Sequence, residues 1–169
     1  MAATNRDNAD DAAAGSDRSP PRPACDAARS GKADTSRITV VLVDDNAMLA
    51  DAMPYVIRRD PRFEWAGWVS NGASVLDFVR RAAPRIVLMD VDMPEVDTFG
   101  LVRQIVACCP ESKVVMFSGH LREEYIEAAF DAGACGYLHK DDEFPSLLEN
   151  LVKIQGGEMI FIPPIERGM

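Results

Sequence analysis

Long apolar runs, cationic charge and metal-ligand spacings are what this chain of 169 residues lacks. No apolar stretch approaches the roughly 20 residues that span a bilayer. The N-terminus has no apolar segment of the kind that opens a secretion signal. Both absences point to a cytoplasmic chain without a membrane partner. Lys and Arg number 18 against 27 Asp and Glu, a formal net charge of −9, which argues against direct binding of nucleic acid. The four cysteines, Cys25, Cys108, Cys109 and Cys135, have no zinc-ligand spacing, and only His120 and His139 could supplement them. A structural zinc cage is therefore not expected. The adjacent Cys108 and Cys109 read as reduced thiols at a helix end. Residues 1–36 hold no Val, Ile, Leu, Phe, Trp or Tyr but ten alanines and three prolines. Such a segment cannot bury enough apolar surface to offset its ordering entropy, and a disordered tail is expected.

From Ile38 the pattern changes. Apolar strand-like segments at 38–43, 63–69, 86–90, 113–117 and 134–138 alternate with helical patterns at about 46–59, 72–82, 98–108, 121–132 and 143–155. Pro84, Pro110, Gly133 and Gly156-Gly157 punctuate the helix ends. Five β-α units of roughly 25 residues predict an α/β fold with a parallel sheet and helices on both faces. The runs VVLV, IVLM and VVMF lack strict alternation, as strands buried on both faces do. Pro54 falls inside the first helical pattern and is expected to introduce a kink or a solvated turn. Trp65 and Trp68 are three apart, so in a regular strand they face opposite sides.

The polar residues that end these strands carry the chemistry. VVLVDDN ends in Asp44 and Asp45, IVLMD in Asp90, VVMFS in Ser118 and GYLHK in Lys140. In an open parallel sheet the carboxyl ends of the strands line one crevice. Three carboxylates gathered there repel one another, and a hard divalent cation with oxygen ligands relieves that repulsion. A hydroxyl and a compact ammonium add donors for phosphoryl oxygens. The set suits cation binding and phosphoryl transfer.

These residues, in this order and each at a strand end, resemble the receiver domain of bacterial two-component response regulators over about Ile38 to Gln155. The stretch EEYIEAAFDAGACGYLHKDD (123–142) is similar to the subfamily whose receivers usually precede a helix-turn-helix output domain. The resemblance implies a flavodoxin-like (βα)5 doubly wound parallel sheet of strand order 2-1-3-4-5. It implies that Asp90 accepts a phosphoryl group from a sensor histidine kinase or phosphotransfer protein, assisted by Ser118 and Lys140. It implies Mg2+ held by the side chains of Asp45 and Asp90 and the backbone carbonyl of Asp92, with Asp44 acting through water. It also implies a conformational switch at Ser118 and Tyr137, in which the aromatic rotates inward. The signal then passes by protein–protein contact to a downstream partner that the residues do not identify, and pairing of two copies through helical faces is compatible with the family.

The organisation expected is a tail over 1–36, a receiver over 37–157 and a short C-terminal extension over 158–169 without an effector domain. Thr98 stands where the family commonly has Gly; a positive φ there would be strained. The Asp92 side chain, Glu95 and Asp97 read as loop charges and caps, not as participants in the chemistry. A conventional enzyme is not expected. Two alternatives stand beside the phosphoacceptor: an interaction module that works without phosphorylation, and a phosphatase with an Asp nucleophile, suggested by D-V-D at 90–92.

Overall fold

The three central apolar runs lie side by side in the computed structural model, which describes residues 36–162. The tail expected over 1–36 falls almost wholly outside the described residues. In chain order the elements are β1 (Ile38–Val43), α1 (Ala47–Arg58), β2 (Phe63–Val69), α2 (Gly72–Ala82), β3 (Ile86–Met89), α3 (Thr98–Cys108), β4 (Lys113–Ser118), α4 (Glu123–Ala132), β5 (Gly136–His139), α5 (Phe144–Gln155) and β6 (Ile160–Phe161). All strand pairs are parallel and the order is β2-β1-β3-β4-β5-β6. The expected order 2-1-3-4-5 holds, with β6 added beyond β5 by residues of the C-terminal extension.

Alternate residues of each strand enter two separate cores, because successive side chains point to opposite faces. Val41, Val43, Val87, Met89, Val114 and Met116 face α2, α3 and α4, where Val75, Val79, Leu101, Ile105, Ile126 and Ala129 meet them. Val40, Leu42, Ile86, Leu88, Val115 and Phe117 face α1 and α5, packed by Met53, Ile57, Leu147, Leu151 and Ile154. Each fully buried Val or Leu contributes about 1.5–3 kcal/mol. This two-sided burial is why the central strands read as unbroken apolar runs.

Two expectations meet the structure here, one in part and one as a correction. Helix α1 runs from Ala47 to Arg58 with Pro54 inside it, so of the kink or solvated turn expected there the turn is absent. Its apolar residues Ala50, Met53 and Ile57 are buried on both sides of the proline. That packing, together with the cap from Asn46, outweighs one missing backbone donor. The second concerns the tryptophans. Strand β2 carries a bulge: Val40 pairs with Trp65 but Val41 with Gly67. The extra residue, Ala66, resets the alternation. Trp65 and Trp68 therefore pair with Val40 and Leu42 and share one face, the α1 side.

Chain direction places the site. From β1 the chain moves outward to β2, then returns to the other side of β1 as β3. Between β1 and β3 the crossovers diverge, and the crevice outside their carboxyl ends is open to a ligand. Asp44, Asp45 and Asp90 are the residues that directly follow those two strands.

Candidate functional site

Asp44, Asp45 and Asp90 converge: each offers a carboxylate oxygen, and these oxygens all lie within 4.8 Å of one another. Asp44 is fully buried and Asp90 nearly so, while Asp45 is exposed at the mouth. Lys140, at the end of β5, reaches across. Its Nζ lies 2.7 Å from Asp44 Oδ2 and 3.1 Å from Asp90 Oδ1. The contact to Asp44 sets the ammonium against a fully buried carboxylate oxygen. Asp44 Oδ1 accepts from the Asn46 N–H at 2.8 Å. Asn46 itself caps α1, accepting from the N–H groups of Met48 and Leu49, so the acidic loop and the helix start are locked together.

Electrostatics follow from this crowding. Burial, then the neighbouring charge of Asp44, raise the Asp90 carboxyl above the ordinary carboxylate range; Lys140 and the Asp92 backbone N–H oppose them. Burial pulls the Lys140 ammonium down, but the two carboxylates outweigh it and the net shift is upward. The ammonium is thus held charged between two acids. Two buried carboxylates and an exposed one at the mouth, their oxygens within 4.8 Å of one another, form a donor set of hard oxygens that fits a small divalent cation.

Ser118 is fully buried at the end of β4, between β3 and β5. Its Oγ accepts from the His120 N–H at 3.0 Å, and its carbonyl accepts from the Lys140 N–H at 2.9 Å. Beside Gly119 the space is open, so a ligand can approach Ser118 from that side. Tyr137 does not enter the crevice. It is fully buried beneath α4, and its hydroxyl donates to the His120 carbonyl at 2.6 Å. Burial raises its phenol, with the Ser118 hydroxyl acting against that rise. The ring lies packed in the core on the α2–α4 side of the sheet.

The loop between β3 and α3 answers the question of strain at Thr98. The positive φ falls on Glu95, at 60°, and not on Thr98. Thr98 opens α3, is buried, and donates from Oγ1 to the Val91 carbonyl at 3.1 Å. The turn comes three residues earlier, so the threonine ties the loop down without strain. Asp97 is the α3 cap, accepting from the Gly100 N–H, and the Asp92 side chain is exposed.

Two residues near the site escaped the sequence reading. Trp68 Nε1 donates to the Asp44 carbonyl at 2.7 Å, fixing the backbone that carries the buried acid; the bulge in β2 aims it there, and no sequence signal marks that bulge except Gly67. His120 Nε2 lies 3.4 Å from Asp92 Oδ2 at the rim of the crevice. Its place two residues after Ser118 was the available signal.

A doubly wound parallel sheet with three carboxylates and an ammonium at its switch point defines a class of α/β domains with an acidic pocket at the carboxyl ends of their strands. The family model described as the response regulator receiver domain matches residues 40–152, and the chain belongs to that family. It is similar to the transcriptional regulatory protein DegU of Brevibacillus brevis, 29% identical over 74% of this chain and 53% of that protein. It is also similar to the nitrate/nitrite response regulator protein NarL of Escherichia coli, 30% identical over 72% of this chain and 56% of that protein. The chain thus spans about half the length of these curated relatives. Among solved structures, a LuxR-family response regulator from an Aurantimonas species superposes with a TM-score of 0.71 at 24% identity, covering 76% of this chain and 91% of that one. A response regulator from Thermotoga maritima does so with a TM-score of 0.64 at 28% identity, covering 71% and 98%. Among the described residues no helix is long and apolar enough to cross a membrane.

Proposed function

We propose that the chain is a phosphoacceptor receiver in which Asp90 takes a phosphoryl group from a sensor histidine kinase or phosphotransfer protein in the cytoplasm. The observation that carries this reading is the gathering of Asp44, Asp45 and Asp90 within 4.8 Å, with Lys140 Nζ 3.1 Å from Asp90. A carboxylate oxygen of Asp90 attacks phosphorus. The bond from phosphorus to the donor's imidazole nitrogen breaks, and its electron pair leaves with the imidazole. Lys140 sits beside the attacked group and neutralises one phosphoryl oxygen as charge spreads over it. Ser118 donates its hydroxyl to another. Mg2+, held by the Asp45 and Asp90 side chains and the Asp92 carbonyl with Asp44 acting through water, would supply the remaining charge neutralisation.

The readout begins at Ser118. Turning its hydroxyl toward the new dianion breaks the bond from His120 N–H, and His120 is also what Tyr137 holds. The phosphoryl group thereby biases a loop with two arrangements, which is how a local charge becomes a surface change that a downstream protein reads.

Incubation of the full chain with a small phosphodonor and Mg2+ should add one phosphoryl group, detected by intact mass, and Asp90→Asn should add none. Wild-type chain that stays unmodified with saturating Mg2+ would sink the phosphoacceptor reading.

A further inference from the structure

Strand β6 lies outside the five β-α units, held by two backbone bonds, one aromatic contact and the packing of Ile160 and Ile162 on the α1–α5 core. The Ile160 N–H donates to the Cys135 carbonyl at 3.2 Å and the Ile162 N–H to the Tyr137 carbonyl at 2.8 Å. The Phe161 ring meets Phe130 of α4 edge-on, with centroids 5.8 Å apart. Residue for residue, Ile160 pairs with Gly136 and Phe161 with Tyr137. Gly136 makes the pairing possible, since a Cβ there would lie 2.7 Å from the Ile160 carbonyl oxygen.

Ile160 and Ile162 rest on the α1–α5 core, while the strand's other partners belong to the part of the fold that the phosphoryl site can move. Ser118 Oγ accepts from His120 N–H, the His120 carbonyl accepts from Tyr137, the Tyr137 carbonyl accepts from Ile162, and the neighbouring Phe161 rests on α4. A continuous series of contacts thus runs from the hydroxyl in the crevice to the C-terminal strand.

We propose that β6 is a releasable strap, docked while Asp90 is unmodified and detached when a phosphoryl group on Asp90 recruits the Ser118 hydroxyl. The inference rests on the phosphoacceptor reading of Asp90. Loss of the Ser118–His120 bond frees the loop that leads into α4. Movement of α4 withdraws Phe130 from Phe161. A two-residue edge strand is marginal in water, and with the aromatic contact gone only two backbone bonds and the partly buried packing of Ile160 and Ile162 on the α1–α5 core remain to hold it. Detachment bares the outer edge of β5, and with it the carbonyls of Cys135 and Tyr137, beside an already half-exposed Phe130. An unpaired edge next to an aromatic is a ready template for another strand. The chemical mark on Asp90 is thereby converted into a change of sheet edge some distance from it.

Coupling is reciprocal: whatever loosens the strap must strengthen binding of the phosphoryl mimic by the same factor. The full chain with Mg2+ is compared with and without beryllofluoride by amide hydrogen exchange. Exchange at Ile160 and Ile162 is expected to accelerate about fivefold or more on loading. Phe161→Ala removes the aromatic contact and Ile162→Pro removes the donor to Tyr137; each should bind beryllofluoride about fivefold tighter than wild type. Unchanged or slower exchange at both amides in a chain whose mass shows phosphoryl uptake would overturn the strap alone, as would wild-type affinity in both variants. Failure of phosphoryl uptake itself, read separately by mass, would remove the reading of Asp90 and the strap together.

Discussion

Asp90 sits in a setting that works against its own charge. Burial and the Asp44 carboxylate raise its proton affinity, and Lys140 only partly compensates. Because the folded-state affinity exceeds the unfolded one, protonation of Asp90 favours folding at low pH, and that contribution is lost as pH rises through the raised folded value. At neutral pH the divalent-free protein therefore carries a stability cost at this residue. Asp90→Asn should raise the melting midpoint by a few degrees in chelator at neutral pH, and the advantage should shrink as pH falls into the range where Asp90 takes up its proton. A thermal melt in which the wild type is the more stable at neutral pH would contradict the electrostatics. Thr98 tests the opposite kind of group. Thr98→Val removes the buried donor to Val91 and should cost about 1–3 kcal/mol in urea unfolding, the penalty for an unsatisfied buried carbonyl. The carboxylates and Lys140 were legible because each follows an apolar run, a pattern that survives any detail of packing. The turn beside Thr98 was not legible, because the sequence shows which residues tolerate a positive φ but not where in a loop the turn falls.

At the level of elements, the bulge in β2 decides more than its size suggests. Gly67 takes a φ of 141°, and a Cβ on it would lie 2.7 Å from Phe78 Cζ. The bulge turns Trp68 onto the α1 face, where its indole N–H holds the Asp44 carbonyl. Gly67→Ala should therefore destabilise the fold by about 1–3 kcal/mol, as strained backbone at a non-glycine does. It should also weaken Mg2+ binding, followed by titration of tryptophan fluorescence. Destabilisation with unchanged Mg2+ affinity would separate the bulge from the site. The five β-α units and their boundaries were readable from periodicity, since two-sided burial writes itself into long apolar runs. Bulges are not readable that way: one inserted residue leaves composition untouched and reverses every later side chain. Strand β6 escaped for a related reason. Two residues carry no periodicity, and their pairing depends on Gly136, far away in sequence.

For the whole molecule, topology concentrates like charge at one end of a sheet in a chain already at −9. The crossovers diverge between β1 and β3, so the acids that follow those strands cannot avoid one another. A divalent cation is the general remedy, and its effect on stability separates a site from mere screening. Binding to the folded state alone stabilises by RT ln(1 + [L]/Kd), about 2.7 kcal/mol at a hundredfold excess over Kd. Mg2+ should therefore stabilise the wild type in urea unfolding by roughly that amount, beyond what a monovalent salt of equal ionic strength provides. It should stabilise Asp45→Asn and Asp90→Asn much less, since each lacks one carboxylate of the cluster. Diffuse screening of a net negative surface acts on all three proteins alike. Equal stabilisation of wild type and both variants would assign the effect to that screening and leave the crevice without a bound ion. A selective gain in the wild type would show that the fold accepts electrostatic repulsion at this end because a ligand relieves it.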